Sequence, residues 1–259
     1  SEDHEANELK FELKILELRL ESITNEQADL ERDILLFNRR QYEILGDLIK
    51  ELLRLKAEYQ QCIAEQAKQE QNQEQEEIDE LEEEAEQAKD TYDEYSEEYE
   101  EVQQTEVKQL NELEEKELKN IFRRACNLCH PDKVTEEKKG QASQIFIQLK
   151  EAYDKNDIAA VKIVYAKLQQ GDFSQTKSSK LKSIDILRSS ISEIKYKLEQ
   201  AIQALHKLST DPVTMTINQI GKNEAQWVDD LHNKRVSFEG EIAAWQEKVE
   251  QLSVGELNE

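Results

Sequence analysis

The sequence predicts an all-α protein: a long antiparallel coiled coil that carries a helical hairpin module at one end. Only 6 Gly and 2 Pro occur in 259 residues, so few positions would break a helix. Hydrophobic residues make up 37% of the chain and charged residues 36%, which favours narrow apolar seams over one wide core. Apolar residues also recur at gaps of three and four along most of the chain, as they do on one face of a helix.

Residues 1–105 are predicted to form an N-terminal coiled coil with a polar hinge near residues 66–77. A first seam runs from Leu9 to Cys62, and the short polar side chains of Ser22, Thr24 and Asn25 could interrupt its helix. The acidic stretch that follows keeps a second seam, which a disordered tail has no reason to keep. We interpret it as coiled coil, with a solvated single helix as the alternative. Its seam consists of Ile78, Leu81, Ala85, Ala88, Tyr92, Tyr95, Tyr99 and Val102.

Residues 106–172 are predicted to form a helical module around His130-Pro131-Asp132-Lys133. Pro131 cannot donate a backbone hydrogen bond, so the preceding helix must end there. Apolar residues before and after this point fall at helical spacing, so two short helices can pack face to face as a hairpin. Asp157 can cap a further short helix that Gly171 ends.

This hairpin resembles the J-domain of the DnaJ family of co-chaperones. The family's second helix carries an aromatic residue followed by basic residues and ends in Tyr-His-Pro-Asp-Lys, and here Phe122-Arg123-Arg124 precede Cys129-His130-Pro131-Asp132-Lys133. The family's third helix is matched by Phe146, Leu149, Ala152 and Tyr153. The usual start of the family's domain is missing, and Val107, Leu110 and Leu113 on a longer helix would stand in for its first helix. The resemblance covers about a quarter of the chain.

The resemblance implies that the hairpin engages a DnaK-type chaperone and promotes ATP hydrolysis in that partner. It assigns His130, Pro131 and Asp132 to a trigger loop. Because His130 lies at the end of the preceding helix and next to Pro131, we expect its ring to face solvent. The other implied chaperone-binding residues, which supply positive charge toward an acidic surface, are Lys119, Arg123, Arg124 and Lys133. None of these residues is expected to be catalytic in its own right, so the chain is not expected to be an enzyme.

Residues 177–259 are predicted to form a C-terminal coiled coil with a break near residues 209–216. Asp211 would cap the restarted helix, and Pro212 suits its first position. Antiparallel pairing with the acidic seam would place Tyr95 opposite Ile191 and Val102 opposite Ile184. Lysines and an arginine at the start of this segment favour that pairing.

The stretch Cys126-Asn127-Leu128-Cys129-His130 also has the spacing of a c-type haem attachment site. The hairpin explains the same residues, with Cys126 on its apolar face, and the amino terminus lacks the pattern of an export signal. A zinc site would lack ligands within the motif. We therefore expect no cofactor and no metal, and reduced thiols at all three cysteines.

Charge and hydropathy restrict the partners. The net charge is −24, and residues 1–105 hold 33 acidic against 11 basic side chains, which argues against nucleic acid as a general partner. No apolar run is long enough to cross a bilayer, so we expect a cytoplasmic protein without membrane contact.

Two functional hypotheses follow from the sequence. The first is a J-domain co-chaperone whose coiled coil recruits a client or sets location, and the second is a structural adaptor whose tip is a helical cap or binds another protein. A homodimer through the N-terminal arm remains open.

Overall fold

Helices account for nearly all of residues 1–256, the part of the chain that the computed structural model describes, and this part contains no β-strand. The all-α prediction is therefore confirmed. No helix within these residues is long and apolar enough to cross a lipid bilayer. In chain order the helices are α1 (Glu2–Gln69), α2 (Gln75–Gln104), α3 (Glu112–Cys129), α4 (Glu136–Asp154), α5 (Ile158–Gln170), α6 (Lys177–Lys180), α7 (Ile184–Ser209), α8 (Pro212–Ile220) and α9 (Glu224–Glu256).

The helices are distributed over two compact units that do not follow chain order. Unit 1 combines residues 1–36 with residues 107–216, and unit 2 combines residues 37–106 with residues 217–256. Both units therefore contain part of α1. This helix is unbroken through residues 22–25, because its tertiary packing on both sides outweighs the weak local preference of short polar side chains.

In unit 2, the acidic helix α2 folds back on α1. Arg39 donates to the backbone carbonyl of Val102 at 3.2 Å, the rings of Tyr42 and Tyr95 lie 5.1 Å apart, and Lys68 pairs with Glu82. Residues later in α1 therefore contact residues earlier in α2, so the two helices are antiparallel. The polar tract predicted as a hinge contains the turn between them, at residues 70–74.

Helix α9 also packs against α1 in unit 2, but in the parallel direction. Phe37 meets Trp227 edge to face at 5.7 Å, and Tyr59 meets Trp245 at 5.3 Å. Between these two aromatic contacts, Arg235 pairs with Asp47 at 3.0 Å. Residue numbers increase in the same direction along both helices, so α9 runs parallel to α1.

The predicted pairing of α2 with α7 is wrong. In unit 1, Ile191 packs in a cluster with Leu13 and Leu20 of α1, while Tyr95 contacts Tyr42. Helix α7 runs parallel to α1, because Arg188 pairs with Glu5 and Lys195, further along α7, pairs with Glu12 at 3.0 Å. The sequence could not select the partner of α7 for two reasons. An apolar seam with three-four spacing can pack against any helix with a similar seam, and α1 carries acidic residues that complement the charge of α7 as those of α2 do.

The actual α1–α2 register can be tested by cross-linking. In a Cys62→Ser background, we expect Tyr42→Cys and Tyr95→Cys to form a disulfide within one chain, because facing seam positions approach disulfide distance. Asp93→Cys in place of Tyr95→Cys is the control, since Asp93 is exposed on another face of α2. Mobility under non-reducing conditions and mass spectrometry report the bond. Equal cross-linking of both pairs would contradict the register.

The module of unit 1 is a three-helix arrangement of α3, α4 and α5 around one apolar core. The rings of Phe122 and Tyr153 stack with centroids 3.9 Å apart, and Leu118, Leu149 and Val161 surround them without solvent exposure. Asn111 and Glu114 form a reciprocal capping box at the start of α3, and Asp157 caps α5 by accepting from the backbone N–H of Ala160. Both the hairpin and the cap on α5 agree with the sequence prediction.

The segment before α3 differs from the prediction. Residues 106–111 are not helical, so Val107 and Leu110 do not lie on a helix. Leu113 lies in the first turn of α3 with 78% of its surface exposed. The capping box at Asn111 starts a new helix at this point, which is why the preceding residues do not continue one.

Replacing Phe122 should strongly destabilise the module. We expect Phe122→Ala to lower the free energy of unfolding by about 3–5 kcal/mol, because it removes a fully buried ring and leaves a cavity. Leu113→Ala in the same helix is the control and should change stability by about 0.5 kcal/mol or less. Urea denaturation followed by circular dichroism measures both. Similar losses for the two variants would show that the ring stack is not central to the core.

Candidate functional site

The candidate site is the turn between α3 and α4, together with the basic face of α3. Helix α3 ends at Cys129, and His130 has extended backbone angles, as the residue before a proline prefers. The backbone N–H groups of Lys133 and Val134 donate to the His130 carbonyl at 3.0 and 3.3 Å. Pro131 and Asp132 are partly exposed at the tip of this turn.

The ring of His130 is buried, contrary to the expectation that it faces solvent. Only 5% of the residue is exposed, and Nε2 lies 2.9 Å from the hydroxyl oxygen of Thr24 on α1. The backbone N–H of Asp132 donates to Nδ1 at 3.2 Å. These partners assign a neutral ring that carries its proton on Nε2. Burial lowers the pKa of His130 to about 4, and the nearby Lys133 ammonium acts in the same direction.

Lys133 is also buried, although the sequence places it among the charges offered to a partner. It has no solvent exposure, and its ammonium lies 2.5 Å from a carboxylate oxygen of Glu21 on α1. The same group donates to the side-chain oxygen of Asn127 at 2.6 Å. In this conformation Lys133 contributes no charge to the surface.

The other predicted residues stay nearer to the surface. Arg123 is about half exposed and donates to Asp29 of α1 at 2.9 Å, while Arg124 is exposed. Lys119 lies 3.8 Å from Glu115 on its own helix. Asp132 lies 3.9 Å from the ammonium of Lys197 on α7. The structure thus brings all seven predicted residues to one region, but only part of the set is accessible.

A polar face of α1 completes this region, and sequence reasoning missed it. Arg32 is buried and donates to the side-chain oxygen of Asn156 at 2.8 and 3.0 Å and to Glu115 at 3.0 Å. Asn156 has a φ of 57°, in the left-handed region that asparagine tolerates better than most residues. The hydroxyl of Tyr153 donates to Asp29 at 2.6 Å. The sequence signal was present: Glu17, Glu21, Thr24, Ala28 and Arg32 follow each other at gaps of three and four.

The two cysteines of the haem-like motif are part of the module's core. Cys126 and Cys129 have no solvent exposure, and burial raises the pKa of both thiols, that of Cys129 to about 12. His130 directs its Nε2 toward Thr24. Within residues 1–256, no cluster of three or more His, Cys, Asp or Glu side chains could hold a metal ion. These contacts give the motif a packing role, and the absence of covalent haem stays a prediction.

A scan against protein-family models, a search of curated proteins and a search of solved structures each found no match to this chain.

The stability contributed by His130 should depend on pH. Its pKa in the folded chain is about 4 against an ordinary 6.5, so its neutral contacts stabilise the fold fully above pH 6.5 and are lost as the pH falls toward 4. The stability advantage of the wild type over His130→Gln should shrink across this window. Asp33, whose pKa burial raises to about 6, titrates in both chains and cancels in the difference.

The measurement is urea denaturation of both chains at a series of pH values. A difference in unfolding free energy that stays constant from neutral pH to about 4 would contradict the buried, neutral state of His130.

Proposed function

We propose that the chain is a J-domain-type co-chaperone, in which the α3–α4 hairpin binds a DnaK-type chaperone and accelerates its ATP hydrolysis. One observation carries the proposal: the His-Pro-Asp tripeptide sits at the tip of a two-helix hairpin whose core uses residues matched by the resemblance. Phe122, Leu149, Ala152 and Tyr153 are all buried there. A helix-ending turn needs the proline and an apolar core, but it does not need this tripeptide in this place.

The chemistry of the proposed reaction takes place in the partner. The hairpin contributes binding. Arg123 and Arg124 supply positive charge on α3, and Pro131 and Asp132 form the partly exposed tip of the turn. Charged groups of this kind steer encounter with an acidic surface and align the two proteins. The long helices before and after the module would recruit a client or set the location of the complex.

A second candidate is a structural adaptor in which the hairpin is a helical cap. It is favoured by the burial of His130 and Lys133 against α1, because both side chains then stabilise the contact between helices. In this candidate Asp132 has no partner-directed role, so its replacement would be silent.

The two candidates are separated by single-turnover ATP hydrolysis of a DnaK-type chaperone, titrated with this protein to saturation. We expect the wild type to accelerate hydrolysis and Asp132→Asn to lose most of that acceleration, because the change removes a partly exposed carboxylate at the tip with little effect on packing. Asp172→Asn, an exposed loop position, is the control and should act as the wild type does.

Circular dichroism confirms that both variants keep their helices. Absence of acceleration by the wild type at any concentration would leave the adaptor as the better account, whereas full acceleration by Asp132→Asn would show that the Asp132 carboxylate has no role in the acceleration. His130→Gln is a poorer test, since His130 is buried and its loss also affects stability.

A further inference from the structure

We infer that residues 21–32 of α1, here called the α1 cover, form a displaceable lid over the chaperone-binding surface, and that the partner gains full access only when this segment leaves the hairpin. The inference rests on the proposed co-chaperone function. It adds regulation of that site by the chain itself.

The α1 cover contacts the same side chains that the partner would need. Thr24 bonds the ring of His130 at 2.9 Å, Glu21 holds the ammonium of Lys133 at 2.5 Å, and Asp29 accepts from Arg123 at 2.9 Å. A chaperone docked on the turn and on the basic face of α3 would occupy the space of these contacts. Binding of the α1 cover and binding of the partner are therefore mutually exclusive.

The charge of the α1 cover matches the charge expected of the partner's surface. Glu21 and Asp29 present carboxylates to Lys133 and Arg123, and Glu31 presents a third to Lys150 of α4 at 3.1 Å. A basic face selects acidic surfaces irrespective of whether they lie on the same chain or on another. The α1 cover thus acts as an intramolecular acidic competitor.

The contact is polar enough to be reversible. From the α1 cover, Ala28 is the residue that joins the buried apolar core of the hairpin, whereas the side-chain bonds of Glu21, Thr24, Asp29 and Arg32 are polar and exchange with water when the helices separate. Polar pairs of this kind contribute little net stability, because separation returns their solvation. A groove of about 410 Å³ between α1 and α3, lined by Leu18, Asn25, Asp29 and Arg123 among others, already admits solvent to the edge of the contact.

Opening also changes the site electrostatically. When Glu21 moves away, the ammonium of Lys133 loses its buried carboxylate partner and must become hydrated. It then adds its charge to that of Arg123 and Arg124. If a fraction of the molecules is closed, more of this protein is needed for half-maximal acceleration of ATP hydrolysis in the partner. The acceleration at saturation does not change.

The test weakens the α1 cover without altering any residue of the proposed site. Thr24→Val removes the hydroxyl that meets His130, and Asp29→Asn weakens the bonds to Arg123 and Tyr153. Glu12→Gln is the matched control, since it breaks an ion pair between α1 and α7 away from the hairpin. The readout is the concentration of protein that gives half-maximal acceleration of ATP hydrolysis by a DnaK-type chaperone.

We expect the Thr24→Val, Asp29→Asn double variant to lower this concentration about tenfold, with the same maximal rate, because one hydrogen bond that favours the closed state is removed and two are weakened. Thr24→Val alone should give a smaller shift in the same direction, and it remains informative if the double variant loses helix content. Glu12→Gln should match the wild type.

The possible failures are distinct. Equal half-maximal concentrations for the wild type, Thr24→Val and the double variant, with clear acceleration by all, would overturn the α1 cover and leave the co-chaperone proposal standing. No acceleration by any of them at any concentration would overturn the co-chaperone proposal, and the α1 cover with it.

Discussion

The burial of Lys133 is the constraint on which the arrangement of unit 1 depends. An ammonium without solvent exposure needs a carboxylate and further acceptors, and Glu21 with Asn127 supplies them. Because Glu21 belongs to a rigid helix, this pair also fixes the rotation and height of α1. Thr24 then falls one turn further on, against His130, and Ala28 falls into the hairpin core. One charged pair therefore sets the register of several contacts.

Helix α1 packs against both α7 and the hairpin in unit 1, and it uses two adjacent faces to do so. Its leucine face packs with α7, where Leu13 and Leu20 join Leu187 and Ile191 in an apolar cluster. The neighbouring face, with Glu21 and other polar residues, meets the hairpin. Apolar burial supplies non-directional stability, whereas the polar contacts supply geometry at little net gain. Contacts of the second kind are specific and also separable, which is the combination that a regulated surface needs.

The sequence predicts the local structure well because local structure has local causes. Asp211 accepts from the backbone N–H of Val213 at the start of α8, as expected for a cap before Pro212, and Gly171 follows the end of α5. The hairpin was also predictable, since its two apolar stripes are joined by a short turn. The choice of partners between long helices was not, because α1 and α2 offer α7 similar seams and similar charge. The polar face around Glu21 was missed since polar residues at helical spacing normally indicate a solvated surface.

The same constraint changes what the His-Pro-Asp tripeptide means chemically. A motif specifies residue types, but the protonation and charge of those residues depend on their neighbours. With α1 in place, His130 is a neutral group bonded on both nitrogens, and Lys133 is neutralised by Glu21. If α1 moves away, the desolvation that depresses the pKa of His130 decreases, and Lys133 loses its carboxylate partner Glu21. Arg124 is exposed with α1 in place, so the α3 face is basic in both states, and the open state adds the charges that Glu21 and Asp29 otherwise pair; an acidic partner would therefore bind the open state better.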